Sequence, residues 1–175
     1  LKSIGTIPMT HKHIFTLVFL LLTASSAYLW GQSPHHSSSF WNDVSQTALS
    51  QASRTQIKLR KFRLLSLNIA QIKSFLHELA QGRNTSEAVH IALPLPNGEF
   101  GVFEIKARPI MAEGLGSRYP DILTFSARGV DDPTAILRCD IGPNGFHAFI
   151  LQQGGSIYID PVMGERENYY LSYYK

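Results

Sequence analysis

Three tight-turn signals constrain the fold of this chain more than any other feature of its sequence. Asn97-Gly98, Pro143-Asn144-Gly145 and Gly154-Gly155 each interrupt a pattern of alternating apolar and polar residues. Glycine reaches the positive φ that short hairpin loops demand and asparagine tolerates it, so such pairs join antiparallel neighbours. The flanking runs alternate as strands do. Phe103, Ile105 and Ala107 oppose Glu104 and Lys106, Leu123, Phe125 and Ala127 repeat the alternation, and Ala135, Leu137, Cys139 and Ile141 oppose Arg138 and Asp140. "SIYIDP" and "NYYLSYYK" extend the series to the last residue.

Two helices are expected ahead of these strands. The first starts at Ser39 as cap, with Phe40, Val44 and Ala48 recurring on one face. The second is "NIAQIKSFLHELAQG", where Asn68 caps, Gln71 completes a box-like pairing, Ile69, Ile72, Leu76 and Leu79 form the stripe, and Gly82 stops the helix. Between them "IKLRKFRLL" reads as a strand, with a change of parity near Lys61 that suggests a bulge. The expected fold class is therefore α+β, N-terminal helices packed on a mainly antiparallel sheet.

The composition, 44% hydrophobic and 17% charged over 175 residues, fits one globular domain and excludes wholesale disorder. Cys139 is the only cysteine, so no intramolecular disulfide forms and stability must come from packing. Met9 opens a stretch in which His11, Lys12 and His13 precede an apolar run from Ile14 to Leu22 and then small residues, the layout of a secretory signal peptide. Residues 1–31 are read as that leader, 32–39 as a linker and 40–175 as the folded domain. The protein is then secreted or held in the periplasm or cell envelope, with no membrane attachment after signal removal. Without Lys2 and Lys12 the balance is fourteen basic to thirteen acidic residues, which gives no reason to expect nucleic acid. Lys58, Arg60, Lys61 and Arg63 cluster locally, but no aromatic stacking platform accompanies them.

The reactive side chains form no complete catalytic set. Cys139 alternates with Leu137 and Ile141, which predicts a buried, inert thiol. His147 falls on the face opposite Phe146 and Ala148, with Phe149 and Leu151 as companions. A hydrolase would need His147 with Asp160 or Glu165, and no motif places a nucleophile beside them. Asp160, before Pro161, is read as a turn cap, and Glu165 and Glu167 as loop residues. His77-Glu78 lacks the second histidine of a zinc helix, since Gln81 stands there, and "GLGSR" lacks the context and lysine of a phosphate loop. His35 and His36 lie in the Ser-rich linker without further ligands, and Asn84 opens a glycosylation triplet. No cofactor, metal or enzymatic activity is expected.

The order of the segments resembles the N-terminal propeptide region of secreted bacterial reprolysin-like zinc metalloproteases. The resemblance rests on Pro96 and Gly98 leading to Phe100 and Phe103, then Met111, Tyr119 and Pro120, then Gly145 to Ala148, and Ile159 to Pro161. It spans roughly Phe40 to Lys175, and the HExxHxxGxxH helix of the catalytic domain has no counterpart within these residues. It implies a non-catalytic folding aid or inhibitor whose partner is a zinc metalloprotease domain, in cis or in trans. Strand addition at an open edge is one way to fill an extended-substrate cleft. Tyr169, Tyr170, Leu171, Tyr173 and Tyr174 supply the expected contact edge, and a zinc-blocking role for Cys139 is disfavoured by its predicted burial. The alternative is a secreted or cell-surface binding or adhesion module.

Overall fold

The computed structural model describes residues 40–59, 61–82, 88–165 and 168–175. The leader, the linker with His35 and His36, Arg60, Asn84 and Glu167 lie outside them.

Nine strands make one antiparallel sheet: β1 (Trp41–Asp43), β2 (Phe62–Leu67), β3 (His90–Pro94), β4 (Phe100–Ala107), β5 (Leu123–Gly129), β6 (Ile136–Gly142), β7 (Gly145–Gln152), β8 (Gly155–Pro161) and β9 (Tyr169–Tyr174). Their spatial order is β1-β2-β9-β8-β7-β6-β5-β4-β3. From β4 to β9 each strand pairs with its predecessor, and β9 then returns the chain beside β2. The sheet curls until β3 approaches β9, where the Ser172 hydroxyl, fully buried, donates to the Pro94 carbonyl at 2.7 Å. Arg63 on β2 ties the same seam: its Nη1 donates to the carbonyls of Leu95 and Glu99, and its guanidinium lies 4.6 Å from the Phe100 ring centre. The result is a nearly closed barrel, mainly β.

This corrects the α+β expectation of N-terminal helices on a sheet. The segment read as the first helix is β1, a 3-10 turn at Gln46–Ala48 and the single-turn helix α1 (Gln51–Gln56). The i, i+4 spacing of Phe40, Val44 and Ala48 was helical, but tertiary packing outweighs it. Trp41 is buried against Phe146 and Tyr170, and β1 pairs with β2. The second helix, α2 (Ile69–Ala80), forms as expected: Asn68 Oδ1 accepts the Gln71 N–H, and Ile72 and Leu76 are buried in the main core. It packs against β4 and β5, and the sheet rather than the helix dominates the architecture. A further single turn, α3 (Glu113–Gly116), lies in the β4–β5 connection.

The inward residues of the alternating runs fill the barrel. Phe125, Leu137, Ile141, Phe146, Ile150, Ile157 and Ile159 are all buried. Each such side chain contributes about 1.5–3 kcal/mol relative to exposure. Two of the turn glycines settle the register. Gly98 has φ +100° in the β3–β4 turn, and Gly145 has φ +104° where β7 begins. At Gly145 an added Cβ would stand 2.7 Å from the Tyr170 hydroxyl, which accepts the Phe146 N–H at 3.1 Å.

Candidate functional site

The outer face of the barrel divides into two halves. On β2 and β9, Leu64 and Leu171 point outward and are buried together with Leu49, under a cover that includes Val44, Ile57 and Leu59. The cover is pinned at α1, where Glu165 accepts the Ser50 N–H at 2.9 Å. Bonds from the Ser53 hydroxyl and from Ser50 lower the Glu165 pKa below the ordinary carboxylate value. On β5 to β8 the outward side chains have no such cover among the described residues. Thr124, Arg138, Asp140, His147, Phe149, Tyr158 and Asp160 line a cleft of about 450 Å³, with Ile110 of the β4–β5 connection also in its lining.

Strand pairing explains who meets whom. The turn at Pro143-Asn144 sets Gly142 opposite Gly145, so counting outward places Asp140 opposite His147 and Arg138 opposite Phe149. The next turn sets Gln152 opposite Gly155 and hence Phe149 opposite Tyr158. Tyr158 then faces Tyr173, and Tyr173 faces Phe62. One register line therefore carries a cation followed by four aromatic rings. Ring centres are 5.1 Å apart for Phe149 and Tyr158, and 5.8 Å apart for the nearly parallel Tyr158 and Tyr173. The Lys175 ammonium stands 5.4 Å from the Tyr158 ring centre. Such pairs add about 0.5–1.5 kcal/mol beyond burial.

The polar groups pair across this line. His147 Nδ1 lies 3.4 Å from Asp140 Oδ2. The Tyr173 hydroxyl donates to Asp160 Oδ2 at 2.8 Å. Burial first, and then this bond to a carboxylate, pushes the Tyr173 pKa up to about 12. Thr124 donates to the Arg108 carbonyl at 2.6 Å. Cys139 is turned into the core beside Leu137 and Ile141, as its alternation predicts, and burial raises its thiol pKa far above the ordinary value. A thiolate for zinc or for attack on a substrate is therefore disfavoured.

The structure redistributes the residues picked out from sequence. Strand β9 lies between β8 and β2 with both sides paired, so the expected open edge is corrected: its backbone is not available for strand addition. Tyr170 is a core residue, Leu171 belongs to the covered half, Tyr169 and Tyr173 are half-buried beside it, and Tyr174 is exposed. His147 meets Asp140, rather than the Asp160 or Glu165 of the hydrolase reading. Asp160 is a strand residue bonded to Tyr173, not a turn cap. Arg63 of the expected basic cluster is occupied by Asp43 and the seam carbonyls. Among the described residues no group of three or more His, Cys, Asp or Glu could hold a metal ion. The row from Arg138 through Phe149 to Tyr158 escaped sequence reading, although the two tight turns carried the signal that fixes it.

A third feature is the β4–β5 connection itself. It leaves three large apolar side chains in solvent: Ile110 at 74%, Leu115 at 46% and Tyr119 at 53% exposure. Backbone bonds fold it locally, from Leu115 and Gly116 to Ala112 and from Ile122 to Tyr119. In comparisons with known proteins, no family model, no curated protein and no solved structure matches this chain significantly.

Proposed function

We propose that this chain is an exported, non-catalytic module that binds a protein partner, a zinc metalloprotease domain in cis or in trans, as its folding aid and inhibitor. The observation that carries the reading is the exposure of three large apolar side chains within the one β4–β5 connection. Exposed large apolar groups brought together on one segment mark interaction surfaces. The connection also holds Met111, Tyr119 and Pro120, three of the residues on which the propeptide resemblance rests. Docking then uses a face and a loop rather than strand addition. In the cleft the His147–Asp140 pair receives no hydrogen bond from a serine, threonine or cysteine among the described residues, which favours binding over chemistry. The test is recovery of the full chain from culture medium with a co-purifying zinc protease, followed by an inhibition assay. Combined Leu115→Ala and Tyr119→Ala substitution should weaken inhibition by about tenfold or more, as expected for interface anchors. A chain that purifies alone and leaves every co-expressed zinc protease fully active overturns the reading.

The second reading, a secreted or cell-surface binding module without a protease, is favoured by the cleft on β5–β8. It accounts for the row of aromatic and charged groups, which the protease reading leaves without a task.

A further inference from the structure

We propose that the cleft on the outer face of β5–β8 binds a neutral, β-linked saccharide of glucose-like configuration. The inference stands apart from the protease reading and shares only Ile110 with it. A volume of about 450 Å³ falls within the range of small-molecule sites. Along one side run the half-buried rings of Phe149 and Tyr158, with centres 5.1 Å apart, and Tyr173 continues the row beyond the lining, 5.8 Å from Tyr158. An all-equatorial sugar ring presents flat faces of axial C–H groups, weakly positive, which complement the negative faces of aromatic rings. Its hydroxyls need both acceptors and donors close by, and the cleft supplies both kinds. Asp140 and Asp160 accept, Arg138 donates, and His147 can do either.

Arg138 is the most informative of these residues. Arg54, Arg63 and Arg128 donate to carbonyls or carboxylates within the chain, whereas the side chains of Arg108, Arg118 and Arg138 do not among the described residues, and of these three Arg138 alone lines the cleft. Arg138 makes no such bond or ion pair among the described residues, yet it stands opposite Phe149 at the end of the aromatic row. Among the described residues its five donors have no partner, which leaves them for a ligand. Single-stranded nucleic acid would also stack on the rings, but the two carboxylates in the same cleft oppose its phosphates.

Calorimetric titration of the full chain with cellohexaose and with chitohexaose tests the inference, with oligo-dT and an oligolysine peptide as competing probes. At least one of the two saccharides binds, and Arg138→Ala and Tyr158→Ala each weaken it at least about tenfold, the loss expected for a charge-assisted hydrogen bond or a stacked ring. Arg138 is exposed and unpaired, so R138A keeps the fold and decides the matter if Y158A does not fold. L115A/Y119A leaves the saccharide titration unchanged, which separates this site from the protease contact. The inference is overturned if neither saccharide binds at millimolar concentration, if binding survives R138A, or if oligo-dT or oligolysine binds more tightly.

Discussion

On β2 and β9 the outer face of the barrel carries Leu64 and Leu171 and is sealed by residues of the 44–59 segment; on β5 to β8 the same face is open and carries Arg138, Asp140, His147, Phe149 and Tyr158. Both halves obey the period of two, and both belong to one sheet with one register. Where the chain supplies its own cover, aliphatic side chains are buried on both faces of a strand. Where the described residues supply none, rings and charges stand at positions whose inward neighbours include Leu137, Ile141, Phe146 and Ile150. Tyr173 sits on the boundary: it packs against the covered cluster, stacks on Tyr158 and donates to Asp160.

The comparison breaks most sharply at Leu49, the residue that closes the covered half and is 2% exposed. Leu49→Ala should cost about 3 kcal/mol, from lost burial and the cavity left behind. Arg138→Ala, on the open half, should change stability by no more than about 0.5 kcal/mol. Denaturant melts of the two variants measure this directly, and equal losses would erase the distinction between cover and open face. Next in size is Gly145→Ala. It forces a side chain onto φ +104° and against the Tyr170 hydroxyl, so a loss of about 2 kcal/mol is expected. The change disturbs the β6–β7 turn that sets Asp140 opposite His147. A variant as stable as the parent would show that this turn does not hold the register.

A smaller effect separates the seam from the open face by pH. The Asp43 carboxyl is held below its ordinary pKa by the hydrogen bonds and charge of Arg63, whose Nε and Nη2 reach its oxygens at 2.7 and 2.8 Å. Above the ordinary value of 3.8, which the unfolded chain keeps, both states are ionised and the contribution is fully present. As pH falls below it the unfolded chain takes up the proton first, and the stabilisation is lost through the lower, folded value. Stability of the parent should therefore decline more steeply on acidification than that of Asp43→Asn, followed as thermal midpoints from pH 5 downward. Parallel curves would remove Asp43–Arg63 from the account of the seam.

Much of this fold was legible in the residues, and the reasons for the failures are specific. The strands from β3 to β9 follow from alternation and tight turns, and α2 from its stripe and cap, because local propensity and tertiary packing agree there. The first helix failed because Phe40, Val44 and Ala48 fit a helical face by spacing, while Trp41 is drawn into the core by Phe146 and Tyr170, a demand that arises only after the chain has folded. The edge role of β9 failed for a similar reason. Nothing within "NYYLSYYK" says that β2, about a hundred positions earlier, will occupy its free side. That return to β2 turns a sheet with helices into a nearly closed barrel. In contrast, the Asp140–His147 and Arg138–Phe149 pairings could have been counted from the two hairpin turns, and only the Ile110 side of the cleft needed coordinates.

Tyr173 offers the finest discrimination, because it belongs to both halves. Its phenol has a pKa of about 12 in the folded protein against 10.0 ordinarily, from burial and from the hydrogen bond to Asp160. Below pH 10 the folded and unfolded chains both hold the proton, and the stabilising contribution is complete. Between the two values the unfolded chain ionises while the folded one does not, so stability falls as pH rises toward 12. Tyr170, also raised by burial, adds to the same trend, and only the difference between parent and Tyr173→Phe isolates Tyr173. The phenylalanine variant keeps the stack on Tyr158 and loses the hydroxyl, so its stability should decline less above pH 10, and a late-titrating phenolate should vanish from its absorbance curve. If the absorbance titrations of the parent and of Tyr173→Phe differ by no late phenolate, then Tyr173 is not fixed to Asp160. The boundary between the covered and the open half would then be looser than the distances imply.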